Sequence, residues 1–222
     1  VSKTNSPLIK DETLKFWNSK DFEKQKYLIA GETPWEIATS TAGIHDIGYI
    51  ETRPIKEYMS SQKDPTVLEI GCGVARILKF WPYKAIGVDI SENMLIKAAL
   101  ECESFGKKDV KFIKTNGRTI DVEDNSVNLV YSFLVFQHIQ TLEEIKTYMR
   151  EISRILAPGG YFRVQTLKGT PHSEDFFGGF NGRLYPSIQA FTKDLSGFGL
   201  TAVEQAVGLG HPDWFWLTME KT

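Results

Sequence analysis

Cysteine is almost absent from this chain: Cys72 and Cys102 are the only two among 222 residues. Two separated thiols give no disulfide framework, and with four scattered histidines they show no zinc-ligand spacing, so a reducing, cytoplasmic setting and no metal are expected. Long apolar runs are lacking as well. The longest, VNLVYSFLVF from Val127, falls far short of the roughly 20 residues that a membrane-spanning helix requires. The opening stretch VSKTNSPLIKDETLKFW has no apolar centre of the kind a signal peptide carries. Nor is there an excess of positive charge. Against 28 acidic side chains stand 26 basic ones, for a net charge of −2, which supplies no field for a phosphate backbone and argues against a nucleic-acid partner. Internal repeats and low-complexity tracts are also missing, and a hydrophobic content of 41% suits one compact domain with a short appendage.

What is present is an alternation that starts near Pro65, where a charged leader dotted with aromatics gives way to short β-branched runs and amphipathic stretches. TVLEI at Thr66–Ile70 reads as a buried parallel strand ending on a glycine turn. Further strands are expected at Ala85–Asp89, Val110–Lys114 and Val127–Ser132, with helices at about Val74–Phe80 and Glu92–Glu103. Leu142, Ile145, Tyr148, Met149, Ile152 and Ile155 have helical spacing, and APGG at 157–160 should stop that helix before a strand at Tyr161–Thr166. Beyond a glycine-rich insertion at 168–183, a helix over Pro186–Phe198 and strands at Thr201–Val207 and Trp214–Met219 complete the pattern. Strands alternating with helices predict an α/β, doubly wound sheet, here residues 65–222, preceded by an N-terminal helical cap or lid over residues 1–64.

Two features in this frame point to a nucleoside. Gly71-Cys72-Gly73 follows the first strand, where an open α/β sheet places its ligand and where glycines let the backbone approach closely. Asp89 closes the second strand, where a carboxylate can accept from both ribose hydroxyls. A dinucleotide-binding loop would carry a third glycine where Arg76 stands, which weakens a nicotinamide-dependent oxidoreductase as the alternative. The plain readings are a tight turn for the glycines and a helix cap for Asp89.

In order, VLEIGCGVAR, GVDIS, SVNLVYSFLVFQHI and EISRILAPGGYF resemble the motif set of class I, S-adenosylmethionine-dependent methyltransferases, over Thr66 to about Thr166. The resemblance implies a Rossmann-like, seven-stranded, mostly parallel sheet with an antiparallel last strand. It implies that S-adenosylmethionine binds with its amino-acid end over Glu69, Gly71, Cys72 and Gly73, its ribose on Asp89 and its adenine against Ile90 and Met94. Asn116 and Gly117 would recognise the adenine edge, although the family usually has an acidic residue where Asn116 stands. Phe133 and His138, beyond strand four, join the implied cofactor site. In the leader, GETPWE at 31–36 looks like the segment that precedes the first helix in several small-molecule methyltransferases, so Trp35 could wall the cofactor. A helix from Ser40 to about Arg53 would put His45, Tyr49 and Arg53 on one face, and Arg53 or Arg76 could pair with the cofactor's carboxylate.

Methyl transfer is an in-line displacement, so the protein must align the reactants and exclude water, and a hydroxyl acceptor must also lose a proton. His138, in Phe136-Gln137-His138, is the candidate general base, with His172 in the insertion as a second. The acceptor pocket is expected from Tyr49, Phe136, Gln137, His172, Phe176 and Phe177, with Phe180 alongside, while Trp214 and Trp216 read more simply as sheet packing. Because the FQHI loop looks like that of sugar and natural-product enzymes, the expected acceptor is a small molecule or glycan, methylated on oxygen rather than nitrogen. A catalytically silent nucleoside-binding module is the other alternative.

Overall fold

The computed structural model describes residues 43–169 and 182–222. Two helices, α1 (Gly43–Ile50) and α2 (Arg53–Ser61), lead into β1 (Thr66–Ile70), β2 (Lys84–Asp89), α3 (Glu92–Phe105), β3 (Val110–Lys114) and β4 (Val127–Ser132). Then come α4 (Leu142–Ile155), β5 (Leu156–Leu167), α5 (Ile188–Leu195), β6 (Leu200–Val207) and β7 (Trp214–Lys221). The strands form one sheet in the order β3-β2-β1-β4-β5-β7-β6. β1 to β5 pair in parallel, and β7 runs antiparallel between β5 and β6. The chain order reverses between β1 and β4, which opens a crevice at their carboxyl ends.

The sheet is buried on both faces, so its inner strands are apolar at successive positions rather than at alternate ones. Leu68, Val130, Phe162 and Val164 face one core with Ile145, Met149 and Ile152 of α4 and Phe191 and Leu195 of α5. Their neighbours Val67, Leu129 and Tyr161 face the other core, with Ile50 of α1, Ile55 and Met59 of α2 and Ala98 and Cys102 of α3. The cap helices therefore complete one side of the main core. Helix ends follow their local chemistry. Thr141 and Glu144 form a reciprocal capping box on α4, Ser91 and Ser187 accept from the first turns of α3 and α5, and Gly106 closes α3 in the left-handed region at φ 82°.

Three expectations need correction. No α-helix fills 74–80: Ala75 has φ 60°, which breaks the helical run, and only a 3-10 turn at Leu78–Phe80 follows. The helix expected from Ser40 to Arg53 stops at Ile50, because Thr52 is extended and Pro54 lies in the first turn of α2. At 157–160 the chain leaves α4 but is already part of β5, with a register irregularity against β4 between Val127 and Leu129 and with Gly159 at φ 75°. Among the described residues no helix is long and apolar enough to cross a membrane.

Candidate active site

The crevice between β1 and β4 is floored by the glycine loop. Gly71 N–H and Cys72 N–H both donate to Val88 O, at 2.7 and 3.1 Å, which folds the loop back onto β2. Gly71 (φ 71°) is irreplaceable for packing as well as for backbone, since a Cβ there would lie 2.3 Å from Val135 Cγ2. Gly73 (φ 52°) differs: nothing lies within 4 Å of where its Cβ would be. That open space beside a left-handed backbone is the cradle that a closely held ligand would fill.

Asp89 ties the loop to β2. Its Oδ2 accepts from Gly73 N–H at 2.9 Å and its Oδ1 from Ser91 N–H at 2.8 Å. A carboxylate has about four acceptor positions, so capacity remains for a ribose hydroxyl. Burial raises the Asp89 pKa, against the lowering effect of backbone donors at Ser91, Gly73 and Ile90. Glu69, at the end of β1, is 3% exposed and accepts from Tyr131 OH at 2.8 Å. Burial pushes its carboxyl up to about 8, against the opposing pull of the Tyr131 hydroxyl and Arg76. Cys72 is buried, and its thiol is held well above its ordinary range by that burial and by Asp89.

Of the residues expected to lie against adenine, Ile90 is half-buried and Met94, in α3, is 2% exposed. Asn116 is exposed, and its amide oxygen already accepts from Arg118 N–H and Thr119 N–H at 2.9 and 3.2 Å. Gly117 N–H donates to Thr115 Oγ1 at 3.1 Å. Both groups expected to read adenine are thus engaged in shaping their own turn, which is an Asx-type loop.

At the other end, Phe133 follows β4 and stacks on Trp216 of β7, with ring centroids 5.5 Å apart and an interplanar angle of 11°. Trp214 meets Phe133 edge-on at 5.2 Å and Tyr49 of α1 at 6.3 Å, and His45 meets Tyr49 at 4.9 Å. Trp216 is fully buried, as expected of sheet packing, whereas Trp214 and Tyr49 are half-buried and His45 is exposed. Gly210, in the β6–β7 turn, closes on this group: a Cβ there would lie 2.7 Å from Trp214 and 3.2 Å from Tyr49. His138 ends the short Phe136–His138 turn beyond β4, half-buried, with its Nε2 3.5 Å from Gln137 Nε2. Gln137 is 2% exposed, and its carboxamide oxygen has no partner.

Two expected site residues sit elsewhere. Phe136 is fully buried against Tyr148 and Phe162, so it belongs to the core rather than to an acceptor pocket. Arg53 opens α2 instead of closing α1. Its side chain is 87% exposed and pairs with Glu57 at 2.8 Å. Trp35, His172, Phe176, Phe177 and Phe180 lie outside the described residues. Among the described residues no three His, Cys, Asp or Glu side chains group as metal ligands would.

Sequence reasoning missed Asp46 and Arg163. Asp46 in α1 is 9% exposed and stands 3.1 Å from Arg76, whose guanidinium lies 5.4 Å from the centre of the Phe133 ring. Arg163 of β5, fully buried, donates to Thr218 Oγ1 at 2.7 Å and to Tyr49 O at 3.1 Å, and lies 4.9 Å from the Trp216 ring centre. Neither sits in a motif. Arg163 could have been flagged only as a charge inside an otherwise apolar strand.

Comparison with known proteins fits this geometry. Residues 68–164 match the family described as a methyltransferase domain. Over those residues, a little under half of the chain, it is similar to methyltransferase domains of the class I, S-adenosylmethionine-dependent kind. It is 34% identical over 103 residues to a sterol 24-C-methyltransferase of Gibberella zeae, which is 44% of this chain and 26% of that enzyme. It is 28% identical over 170 residues to phosphoethanolamine N-methyltransferase 2 of Caenorhabditis elegans, which is 74% of this chain and 37% of that enzyme. The chain thus spans well under half the length of either relative. In fold it resembles a SAM-dependent methyltransferase from Aquifex aeolicus, with a TM-score of 0.61 at 14% identity, over 96% of this chain and all of the other.

Proposed function

We propose that the chain transfers a methyl group from S-adenosylmethionine to a small-molecule or glycan acceptor, with oxygen as the accepting atom. The observation that carries the transfer reading is the open left-handed backbone at Gly73 beside a buried Asp89 that keeps acceptor capacity, inside a region similar to methyltransferase domains. Bound S-adenosylmethionine would supply a methyl carbon already activated by its sulfonium. Asp89 would hold the ribose, Gly71 to Gly73 would admit the amino-acid end, and Ile90 would cover one face of the adenine. That carbon would be open to in-line attack by the acceptor oxygen, with the thioether sulfur as the leaving group. The hydroxyl proton would go to the His138 imidazole, whose Nε2 lies 3.5 Å from Gln137 Nε2.

A second reading, methylation at carbon, draws on the ring cluster of Phe133, Trp214 and Tyr49, whose faces suit an apolar acceptor and a developing positive charge. The likeness to sterol enzymes favours the same reading. A labelled-methyl assay against hydroxyl, amine and alkene acceptors separates the two, run on wild type and His138→Gln. If oxygen is the accepting atom, the variant loses about 100-fold or more in kcat on hydroxyl acceptors. Turnover confined to alkenes or amines and indifferent to His138 would sink the oxygen reading.

A further inference from the structure

The outer faces of α2, α4 and α5 are polar, with Lys56 and Glu57, Glu143 and Arg150, and Gln189 and Lys193 all exposed. Helix α3 departs from this. Ile96 and Leu100, one turn apart, are 56% and 61% exposed. The helix buries Met94, Leu95, Ala98 and Cys102 on its inner side, and at about 3.6 residues per turn Ile96 and Leu100 are centred on the opposite side. This apolar ridge has flanks of opposite charge. Glu92 and Glu103 lie along one, and Lys97 lies along the other. Glu101, further round on the basic side, is already bound by Lys79. Written as heptads, Asn93, Ile96, Leu100 and Glu103 form the a and d seam, Glu92 falls at g and Lys97 at the following e. In a parallel helix pair, g of one helix faces e of the other, so Glu92 meets Lys97 across the seam. An antiparallel pair would set the acidic flank against itself.

We propose that α3 is the contact between two copies of this chain, packed in parallel about a two-fold axis. Ile96 and Leu100 of each copy seat against those of the other, and Glu92 of each faces Lys97 of the other. A second copy suits this face better than an unrelated helix does, because the ridge supplies both the acid and the base that its own image needs, and each pairing then occurs twice. Glu92 already meets Lys114 at 2.9 Å, but both side chains are well exposed, and a carboxylate has capacity for a second donor. A contact of so few turns buries less than about 1,200 Å², so the association is weak and depends on concentration.

Sedimentation equilibrium of the full chain, from low micromolar to near-millimolar concentration, tests both the face and the direction of pairing. Wild type should show a monomer–dimer equilibrium. Leu100→Glu, at an exposed position, should weaken it by about tenfold or more, with thermal melting of the dilute monomer unchanged. Glu92→Lys and Lys97→Glu each set like charges opposite one another and should weaken self-association about threefold or more. An equimolar mixture of those two variants sets opposite charges together again, and should associate as well as wild type does. A wild type that stays monomeric throughout the range overturns the proposal, as does a dimer indifferent to Leu100→Glu, whose contact must lie elsewhere. A mixture that associates no better than its separate components overturns the parallel pairing, and the proposal with it.

Discussion

Gly71 and Gly73 share a left-handed backbone, at φ 71° and 52°, yet the space beside them makes opposite demands. Replacing Gly71 with alanine drives a Cβ to within 2.3 Å of Val135 Cγ2, so backbone strain and overpacking add, and the expected cost is about 2–4 kcal/mol in denaturant unfolding. Replacing Gly73 meets no atom within 4 Å and should cost only about 1 kcal/mol for the left-handed alanine. Its effect belongs to binding: the new methyl fills the open space, and the affinity for S-adenosylhomocysteine should drop by about tenfold or more. A Gly73→Ala protein that binds as wild type does would remove the glycine cradle from the site. These glycines, Glu69 and Asp89 were legible because they belong to a motif of fixed spacing at a strand end. Asp46 was not, since its burial depends on α1 packing over the sheet, and nothing in its neighbours His45 and Ile47 marks it as different from a solvated acid. Phe136 was misassigned for the converse reason: it lies two residues before His138 in sequence, but the turn directs its ring into the core.

At the level of elements, the inner strands could be read almost residue for residue, because burial on both faces demands continuous β-branched and apolar runs that little else in the chain imitates. Helix α4 was legible from its apolar spacing. The failures fall where one residue's backbone, not its side chain, decides the element. Ala75 at φ 60° carries no sequence signal, and so 74–80 reads as a helix that does not form. Pro54 does carry one, but a helix-starting proline resembles a helix-breaking one until the two segments are seen separately. The junction between α1 and the sheet rests on Arg163, which bonds both to the last turn of α1 at Tyr49 O and to Thr218 in β7. Its planar, forked guanidinium serves both partners at once, a geometry that a lysine ammonium does not reproduce. Arg163→Lys should therefore lower stability by about 2–4 kcal/mol and speed amide exchange in α1 more than in β1 or β4. Uniform loss of protection across the sheet, with α1 no worse than the rest, would show that Arg163 supports the core and does not anchor the cap.

For the molecule as a whole, the sheet order β3-β2-β1-β4-β5-β7-β6 places Glu69 and Asp89 at neighbouring strand ends beside the crevice, and α1 adds Asp46 from above. Burial raises the pKa of all three. A carboxyl whose pKa is higher in the folded than in the unfolded chain holds more protons when folded. Its contribution is thus fully present below the unfolded value and is lost as pH rises through the folded one. For Glu69 that window runs from 4.5 up to about 8. Without bound cofactor, the protein should lose stability steadily from pH 5 to pH 8, the reverse of a fold held together by ionised, salt-bridged acids. Other groups titrate over the same range, so the informative quantity is the difference from Glu69→Gln, which keeps the acceptor for Tyr131 and cannot ionise. Measured by denaturant unfolding at several pH values, the variant should gain on wild type as pH rises, by more than about 1 kcal/mol between pH 5 and pH 8, since a tenfold change in a protonation equilibrium is worth about 1.4 kcal/mol. A difference that stays flat across that range would mean that Glu69 is ionised in the folded protein at neutral pH. It would then be available as a counter-charge to a ligand's ammonium.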